Sequence, residues 1–289
     1  MDVNHVQLIT DGTAYLPPQR LFDLGIVCLP IVAQTGSHTL LYDQQTGGHT
    51  ELLEEMARHR QPVEIVGPSP DDFRAVFERT LYRTNQMLVV LSSSHLSPVV
   101  HNARLAARDF MGRCDITILD SQTLSVGLGL LVEQAGLLLR EGRLPLPAIV
   151  RHLRGMIPHI YVVMITHTLD YLYRSKKITA MQAILGAMLE IHPYLTIEDG
   201  EIQPLEKSRS ASKALDKLME FASEFSRVQE MVVFQGGSEQ TREESQKLKE
   251  ELEELLPGRN VPIITYDPIL ASHIGPDGVG LIVYEGRRF

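Results

Sequence analysis

The feature that most constrains the fold is the regular alternation of apolar strand-like runs and helix-like segments in the first half of the chain. Apolar runs lie at residues 5–10, 26–33, 87–91 and 116–119, and helical patterns separate them. Strands without polar alternation are buried on both faces, and strands joined through helices run parallel. We therefore expect an α/β fold in which helices cover both faces of a parallel sheet.

The second half has a different pattern. The run Leu144-Pro145-Leu146-Pro147 interrupts the chain, and a helix follows it. Short strands then alternate with amphipathic helices, and Glu198-Asp199-Gly200-Glu201 is typical of a tight hairpin tip. We expect a mixed sheet, and hence two domains: an N-terminal α/β domain over residues 1–158 and a C-terminal α+β domain over residues 159–289, with a ligand between them.

Composition excludes several classes of protein. The net charge is −9 and neither half carries an excess of basic residues, which argues against nucleic-acid binding. Two cysteines in 289 residues do not form a disulfide scaffold and fit a reducing compartment. The N-terminus lacks the cationic start and apolar stretch of a signal peptide, so we expect a cytoplasmic protein without membrane insertion.

Polar clusters follow three strands of the predicted parallel sheet. These are Thr10-Asp11, Ser92-Ser93-Ser94 and Asp120-Ser121. Ligands of open α/β sheets bind beyond the carboxyl ends of the strands, which predicts a binding site at this edge. Serine and aspartate also form helix caps and turns, and that interpretation stays open for each cluster.

Two residues of the second half are further candidates. His273 precedes Gly275 and Pro276, which indicates a fixed turn between two strands, although a surface histidine fits the same pattern. Arg209 lies just before a helix, where a solvated base is the alternative. No histidine pair has the spacing of a metal site, and no nucleotide or phosphate loop is complete, so we expect no metal and no cofactor.

Five motifs, taken in their order, resemble those of the DegV family of fatty-acid-binding proteins. They are ITDGTAYLP from Ile9, GPSPDDF from Gly67, LSSSHLS from Leu91, LDSQTLSVGLG from Leu119 and HIGPDGVG from His273. The resemblance implies a two-domain protein that encloses one long-chain fatty acid in an apolar tunnel. It also implies a carrier, without catalysis of its own, that presents the carboxylate to the ATP-binding subunit of a bacterial fatty acid kinase.

The resemblance assigns roles residue by residue. The carboxylate-binding serine of the family's SSGLSG loop corresponds to Ser94, or to Ser93 in the neighbouring register, and Ser97 lies in the same loop. The family's HIGPG loop matches His273 to Asp277, which gives His273 a carboxylate contact and places Gly275 in the ligand-binding loop. Arg209 matches the family's arginine after the hairpin.

The chain departs from the family pattern at several positions. The threonine of the family's TSQPS motif, a carboxylate ligand, is Ile65 here, and the serine of its TDS motif is Gly12. The family's Gly-Gly-Arg stretch, near the surface that would face a kinase, is Ser175-Lys176-Lys177. The resemblance therefore implies a divergent carboxylate site and leaves the partner open.

Three functions compete at this stage. A lipid carrier needs a narrow apolar tunnel, which we expect to be lined from the first domain. Its candidate walls are Ile26 to Ile31, Leu124 to Leu131 and parts of the helix from Met181 to Leu189. A serine-dependent lipid or ester hydrolase would use Ser94 as nucleophile and His273 as base. A kinase-like or sugar-phosphate protein lacks a recognisable nucleotide motif. We favour the carrier because the nucleophile elbow of hydrolases is also missing.

Overall fold

The computed structural model describes residues 6–35, 38–42, 49–59, 64–189, 191–208 and 210–286. The chain divides into two compact units. The first comprises Met1–Gln34, Thr39–Gly47 and Ile65–Pro158, and the second comprises Thr35–His38, Gly48–Glu64 and His159–Phe289. The chain passes between the units four times between residues 34 and 65, and as a result one helix from the first part of the sequence belongs to the second unit.

The first unit follows the alternation of the sequence. Its elements are β1 (Val6–Asp11), α1 (Pro18–Asp23), β2 (Val27–Leu29), β3 (Ile31–Thr35), β4 (His38–Tyr42), β5 (Glu64–Val66), α3 (Pro70–Leu81), β6 (Gln86–Leu91), α4 (Val99–Ala107), β7 (Asp115–Asp120), α5 (Ser125–Glu141) and α6 (Leu146–Met156). Helix α2 (His49–His59) lies between β4 and β5 in the sequence and belongs to the second unit.

The main sheet of this unit is parallel, in the order β2-β1-β6-β7. Ile9 lies opposite Val89, and Val89 lies opposite Ile118. This face of the sheet packs against Phe73 and Phe77 of α3, which are fully buried. This confirms the prediction of an α/β unit with a parallel sheet. The continuous apolar strands of the sheet are buried because helices pack against it.

A second, three-stranded sheet has the order β4-β3-β5. We predict one strand across residues 26–33, and the structure instead breaks it at Pro30, between β2 and β3. Proline has no N–H to donate to a sheet ladder, which explains the break. The two strands consequently enter different sheets.

The second unit contains α2 and the C-terminal elements. These are β8 (Ile160–Thr166), α7 (Asp170–Arg174), α8 (Ala180–Met188), β9 (His192–Glu198), β10 (Glu201–Ser208), α9 (Ala211–Ser223), β11 (Val228–Gln235), α10 (Glu239–Leu255), β12 (Ile263–Thr265), α11 (Pro268–Ile274) and β13 (Gly278–Glu285). Asp199 and Gly200 both have positive φ at the β9–β10 hairpin tip, as a type I′ turn requires.

Six strands form the sheet of this unit, in the order β10-β9-β8-β13-β11-β12. Only β11 and β12 pair in parallel, so the predicted mixed sheet is confirmed. Val163, Leu281 and Val233 occupy successive central strands, and α9 and α10 cover them with Leu218 and Leu252. None of the described helices is long and apolar enough to cross a membrane.

Candidate ligand-binding site

Asp11 connects two loops at the carboxyl edge of the parallel sheet. Its Oδ1 accepts hydrogen bonds from the backbone N–H and the hydroxyl of Thr13, at 3.0 and 2.5 Å, and its Oδ2 accepts one from the N–H of Ser92 at 2.7 Å. The side chain is fully buried. These hydrogen bonds occupy both carboxylate oxygens and hold the two loops together, which is the turn-forming role expected of aspartate.

The structure separates the two candidate serines by their surroundings. Ser93 is buried; its N–H bonds to the Thr123 carbonyl at 2.9 Å, and its hydroxyl accepts from His95 N–H at 3.2 Å. Ser94 is exposed, and its N–H points at the Asp120 carboxylate. The Ser94 hydroxyl has no hydrogen-bond partner among the described residues. Of the pair, Ser94 is the exposed residue, whereas Ser93 stabilises the loop.

Four buried hydroxyls at this edge lack a hydrogen-bond partner within the described part of the chain. They belong to Thr10, Ser92, Ser97 and Thr123. Buried hydroxyls normally find a partner in protein or ordered water. Thr123 is the member that sequence reasoning missed, because one threonine after Asp120-Ser121 gives no signal of its own.

Ile65 and Ser97 lie near the second motif of the first unit. Ile65 is half-buried in the short strand β5, and Gly67 follows it. A Cβ atom at Gly67 would lie 3.4 Å from the Ser97 hydroxyl, so that hydroxyl packs directly against the backbone of the motif. Ile65 stands where the resemblance leads us to expect a threonine, so the hydroxyl of that threonine is missing from this neighbourhood.

His273 lies in the last turn of helix α11, in the second unit. We predict a turn between two strands here, and the structure corrects this to a seven-residue helix followed by a turn. Asp267 starts the helix by accepting from the N–H groups of Ile269 and Leu270, at 2.9 and 3.1 Å. The cap is visible in the sequence as Asp-Pro, but a helix of seven residues is too short for its apolar pattern to indicate a helix.

The turn after His273 is held by a buried tyrosine. The Tyr266 hydroxyl donates to the Gly275 carbonyl at 2.6 Å and accepts from the Gly278 N–H at 3.1 Å. Burial raises the pKa of Tyr266 well above its usual value, so the hydroxyl stays protonated. Gly275 has φ +84°, and a Cβ there would lie 2.5 Å from the Tyr171 ring. These contacts therefore fix the backbone of the turn that directly follows the half-buried His273.

Arg209 lies outside the described residues. Its assigned role stays a prediction, as do the roles of Ser94, Ser93, His273 and Ile65.

An apolar cavity of about 260 Å³ lies inside the second unit. Its walls come from α7, α8 and the β9–β10 hairpin and include Leu172, Ile178, Leu189, Leu195 and Ile202. The predicted wall helix from Met181 to Leu189 contributes Gln182, Gly186 and Leu189. By contrast, Leu128 and Leu131 are fully buried in the first unit, and neither lines this cavity.

A polar cavity of about 310 Å³ also lies in the second unit. His167 lines it, and its Nε2 lies 2.7 Å from Glu244 while its Nδ1 lies 3.1 Å from Nδ1 of His192. Both ring nitrogens of His167 are thus engaged inside the protein. No spacing links these three residues in the sequence, so sequence reasoning could not find them. Within the described ranges, no group of three His, Cys, Asp or Glu residues could hold a metal ion.

Comparison with known proteins decides the family. A family model described as "Uncharacterised protein, DegV family" matches residues 5–286. The chain belongs to the DegV family. A DegV domain-containing protein of Deinococcus radiodurans is 31% identical over 215 residues, which cover 74% of this chain and 75% of that protein. One from Streptomyces coelicolor is 28% identical over 96% of this chain and 98% of its own.

Solved DegV structures share the fold. A DegV family protein from Thermus thermophilus, described by its fatty acid binding, is 27% identical and superposes with a TM-score of 0.81 over 98% of this chain and all of its own. DegV from Bacillus subtilis, described as a fatty acid binding protein, is 21% identical with a TM-score of 0.80 over 98% of this chain and 99% of its own. The fold and the family expected from the motifs are confirmed.

Proposed function

We propose that this DegV family member binds one long-chain fatty acid, or a similar acyl lipid, with the acyl chain in the apolar cavity of the second unit. The observation that carries the proposal is that cavity, walled by Leu172, Leu195 and Ile202 in a chain of this family. The fatty acid binding described for the Thermus relative supports the same ligand class.

Apolar burial supplies the affinity. Each buried CH₂ group contributes roughly 0.8 kcal/mol, so a chain of palmitate length gains on the order of 10 kcal/mol before the cost of association. A carboxylate contact then sets orientation more than affinity. The isoleucine at position 65 is compatible with binding for this reason.

We further propose that Ser94 and His273 contact the carboxylate, with Ser93, Ser97 and Gly275 shaping the loops and Arg209 adding charge. The exposed, unused hydroxyl of Ser94 and the fixed turn behind His273 support these assignments. Ser93 has its hydroxyl engaged by His95 N–H, which favours Ser94 as the contact.

The proposed role is that of a carrier that presents the carboxylate to a partner kinase and has no catalysis of its own. Adding an ATP-binding fatty acid kinase subunit and ATP to the loaded protein should then yield acyl phosphate. A failure to form acyl phosphate with a kinase that is active on another DegV protein would contradict the partnership and leave lipid binding intact.

Native mass spectrometry of gently purified protein, followed by lipid extraction, tests the ligand. We expect one fatty acid per chain, and uptake of palmitate or oleate after delipidation. Ser94→Ala should weaken binding roughly 10- to 150-fold, since a hydrogen bond to a charged group is worth ~1.5–3 kcal/mol. Ser223→Ala, an exposed serine on α9, is the control and should bind normally.

The hydrolase alternative predicts a different result. If the protein cleaves p-nitrophenyl acyl esters with burst kinetics and Ser94→Ala removes the burst, Ser94 is a nucleophile and the carrier proposal fails. A protein that neither carries nor takes up any fatty acid contradicts the proposal as well.

A further inference from the structure

The opening of the apolar cavity carries lysine side chains. Its inner wall is deeply buried, with Leu172 and Leu195 each 1% exposed. Lys207 and Gln182, which also line the cavity, are exposed, and Lys177 is half-buried. The exposed residues of the lining, which also include Pro204 and Leu189, form the solvent side of the cavity, and Lys207 is part of this rim.

Among the residues that the structure describes, no carboxylate forms an ion pair with Lys177 or Lys207. The neighbouring Lys217 does form one, with Glu206 on the same hairpin strand as Lys207. Carboxylates are plentiful in a chain of net charge −9, yet within the described residues none of them pairs with the two ammonium groups beside the apolar cavity.

Backbone geometry fixes where each lysine starts. The N–H of Lys177 donates to the Leu172 carbonyl at 2.8 Å, which closes the end of α7, and Leu172 itself forms the cavity wall. Lys207 lies on β10 opposite Pro193 of β9, another residue of the wall. The two side chains thus reach the same cavity from different elements.

We propose that Lys177 and Lys207 bind an anionic group carried by the acyl ligand. An apolar, partly desolvated rim strengthens the attraction between an ammonium group and a carboxylate relative to bulk water. The aliphatic stems of the lysines at the same time extend the apolar wall. This inference rests on the proposed function and adds a second recognition element to it.

The anionic group has two sources. It is the second carboxylate of an acyl chain that carries an acid at each end, whose first carboxylate contacts Ser94 and His273. Alternatively, it is the single carboxylate of a fatty acid bound in the reverse orientation, in which the lysines replace the Ser94 and His273 contacts. Both present the same chemistry to the lysines, and a set of ligands of equal chain length distinguishes them.

The experiment compares palmitate, hexadecanol and hexadecanedioate, each kept below its micellar concentration, on delipidated full-length protein by calorimetry. The variants are the double change Lys177→Met with Lys207→Met, and Lys213→Met as the control. Lys213 is an exposed lysine on α9 that does not line the cavity. Methionine keeps the length and apolar character of the stem, and circular dichroism checks the fold.

We expect the double variant to bind palmitate, hexadecanedioate or both at least about fivefold more weakly than the wild type. Its affinity for hexadecanol should be unchanged, and the Lys213→Met protein should bind all three ligands with wild-type affinity. Loss of affinity for palmitate places its own carboxylate at the rim and not on Ser94 and His273. Loss confined to hexadecanedioate places a second carboxylate there. Added salt should weaken wild-type binding of the charged ligand and have less effect on the double variant.

Arginine at both positions keeps the charge and should retain binding, which separates a charge effect from a folding defect. If the double methionine variant binds all three ligands with wild-type affinity, the rim proposal is wrong and the proposed function stands. If the wild-type protein binds none of the three, the proposed function itself fails, and the rim proposal fails with it.

Discussion

Tyr266 shows how a single side chain can fix the surroundings of a candidate ligand residue. Its hydroxyl joins Gly275 and Gly278, on either side of the Pro276–Asp277 turn. Thr166 adds a bond from its hydroxyl to the Ile274 carbonyl at 2.8 Å. Because side chains satisfy the carbonyls of Ile274 and Gly275, the short helix α11 can end directly at Ile274.

Replacing Tyr266 with phenylalanine should therefore destabilise the protein without removing bulk. The change leaves the Gly275 carbonyl and the Gly278 N–H without their buried partner, at a cost of about 1–3 kcal/mol. Urea denaturation measures the loss. Tyr82→Phe is a matched control, because Tyr82 is 85% exposed, and it should leave the free energy of unfolding unchanged.

The same hydroxyl predicts a loss of stability at alkaline pH. Burial raises the pKa of Tyr266 in the folded protein, so above about pH 10 the unfolded chain loses this proton while the folded chain keeps it. The contribution is complete below pH ~10 and declines above it by roughly 1.4 kcal/mol per pH unit. Urea denaturation between about pH 9 and pH 11 should show a shallower decline for Tyr266→Phe than for wild type. Equal slopes would mean that Tyr266 ionises in the folded state.

The sequence predicts the role of a residue where its partners are close to it in the sequence, as at a helix cap. Ser69 followed by Asp71 and Asp72 is typical of a helix start. The structure shows a full capping box there, in which the Asp72 carboxylate accepts from Ser69 N–H at 2.8 Å. The environment of Ser94 was not predictable in this way. Its exposure, in contrast to the burial of Ser93, depends on how the loop folds back onto Thr123 and Asp120.

At the scale of elements, α11 is the part of the second unit that sequence reasoning missed. Seven residues cannot form a stable helix in isolation, and their pattern lies below the length at which periodicity is informative. What holds α11 is its cap and its burial, since Ile269, Leu270 and Ile274 are at most 1% exposed. By contrast, the sequence pattern predicts helices over residues 125–140 and 239–256, close to the observed seventeen-residue helices α5 and α10.

Removal of the cap should loosen α11 more than the rest of the unit. Asp267→Ala leaves the N–H groups of Ile269 and Leu270 without an acceptor, which costs ~1–2 kcal/mol. Hydrogen exchange should show faster exchange in Pro268–Ile274. Asp267→Asn keeps an accepting oxygen and should recover most of the protection; no difference between the two variants would contradict the capping role.

At the scale of the whole molecule, the second unit is assembled from segments far apart in sequence. Leu53 and Met56 of α2 are fully buried, although α2 lies within the first 60 residues. The backbone of α2 approaches Gly237 so closely that a Cβ there would lie 2.4 Å from the Leu53 carbonyl carbon. Arg242 of α10 also contacts Glu54 and donates to the Gly237 carbonyl at 3.2 Å. The alternation of strands and helices along the sequence does not predict that α2 belongs to the second unit. That position depends on the packing of α2 against residues near 237–242, which are distant in sequence.

Gly237→Ala tests whether this contact is part of the folding unit. The added methyl group must displace α2 from the start of α10, and we expect a loss of about 1–3 kcal/mol in the free energy of unfolding. Hydrogen exchange should accelerate in His49–His59 and in the first turn of α10, while Pro70–Leu81 of the first unit keeps its protection, because local opening follows cooperative units and not sequence order. Gln246→Ala, at an exposed position of α10, should leave all three segments unchanged. Unchanged exchange in His49–His59, with faster exchange in the first turn of α10, would show that α2 does not unfold with the second unit, and would overturn the assignment of this helix.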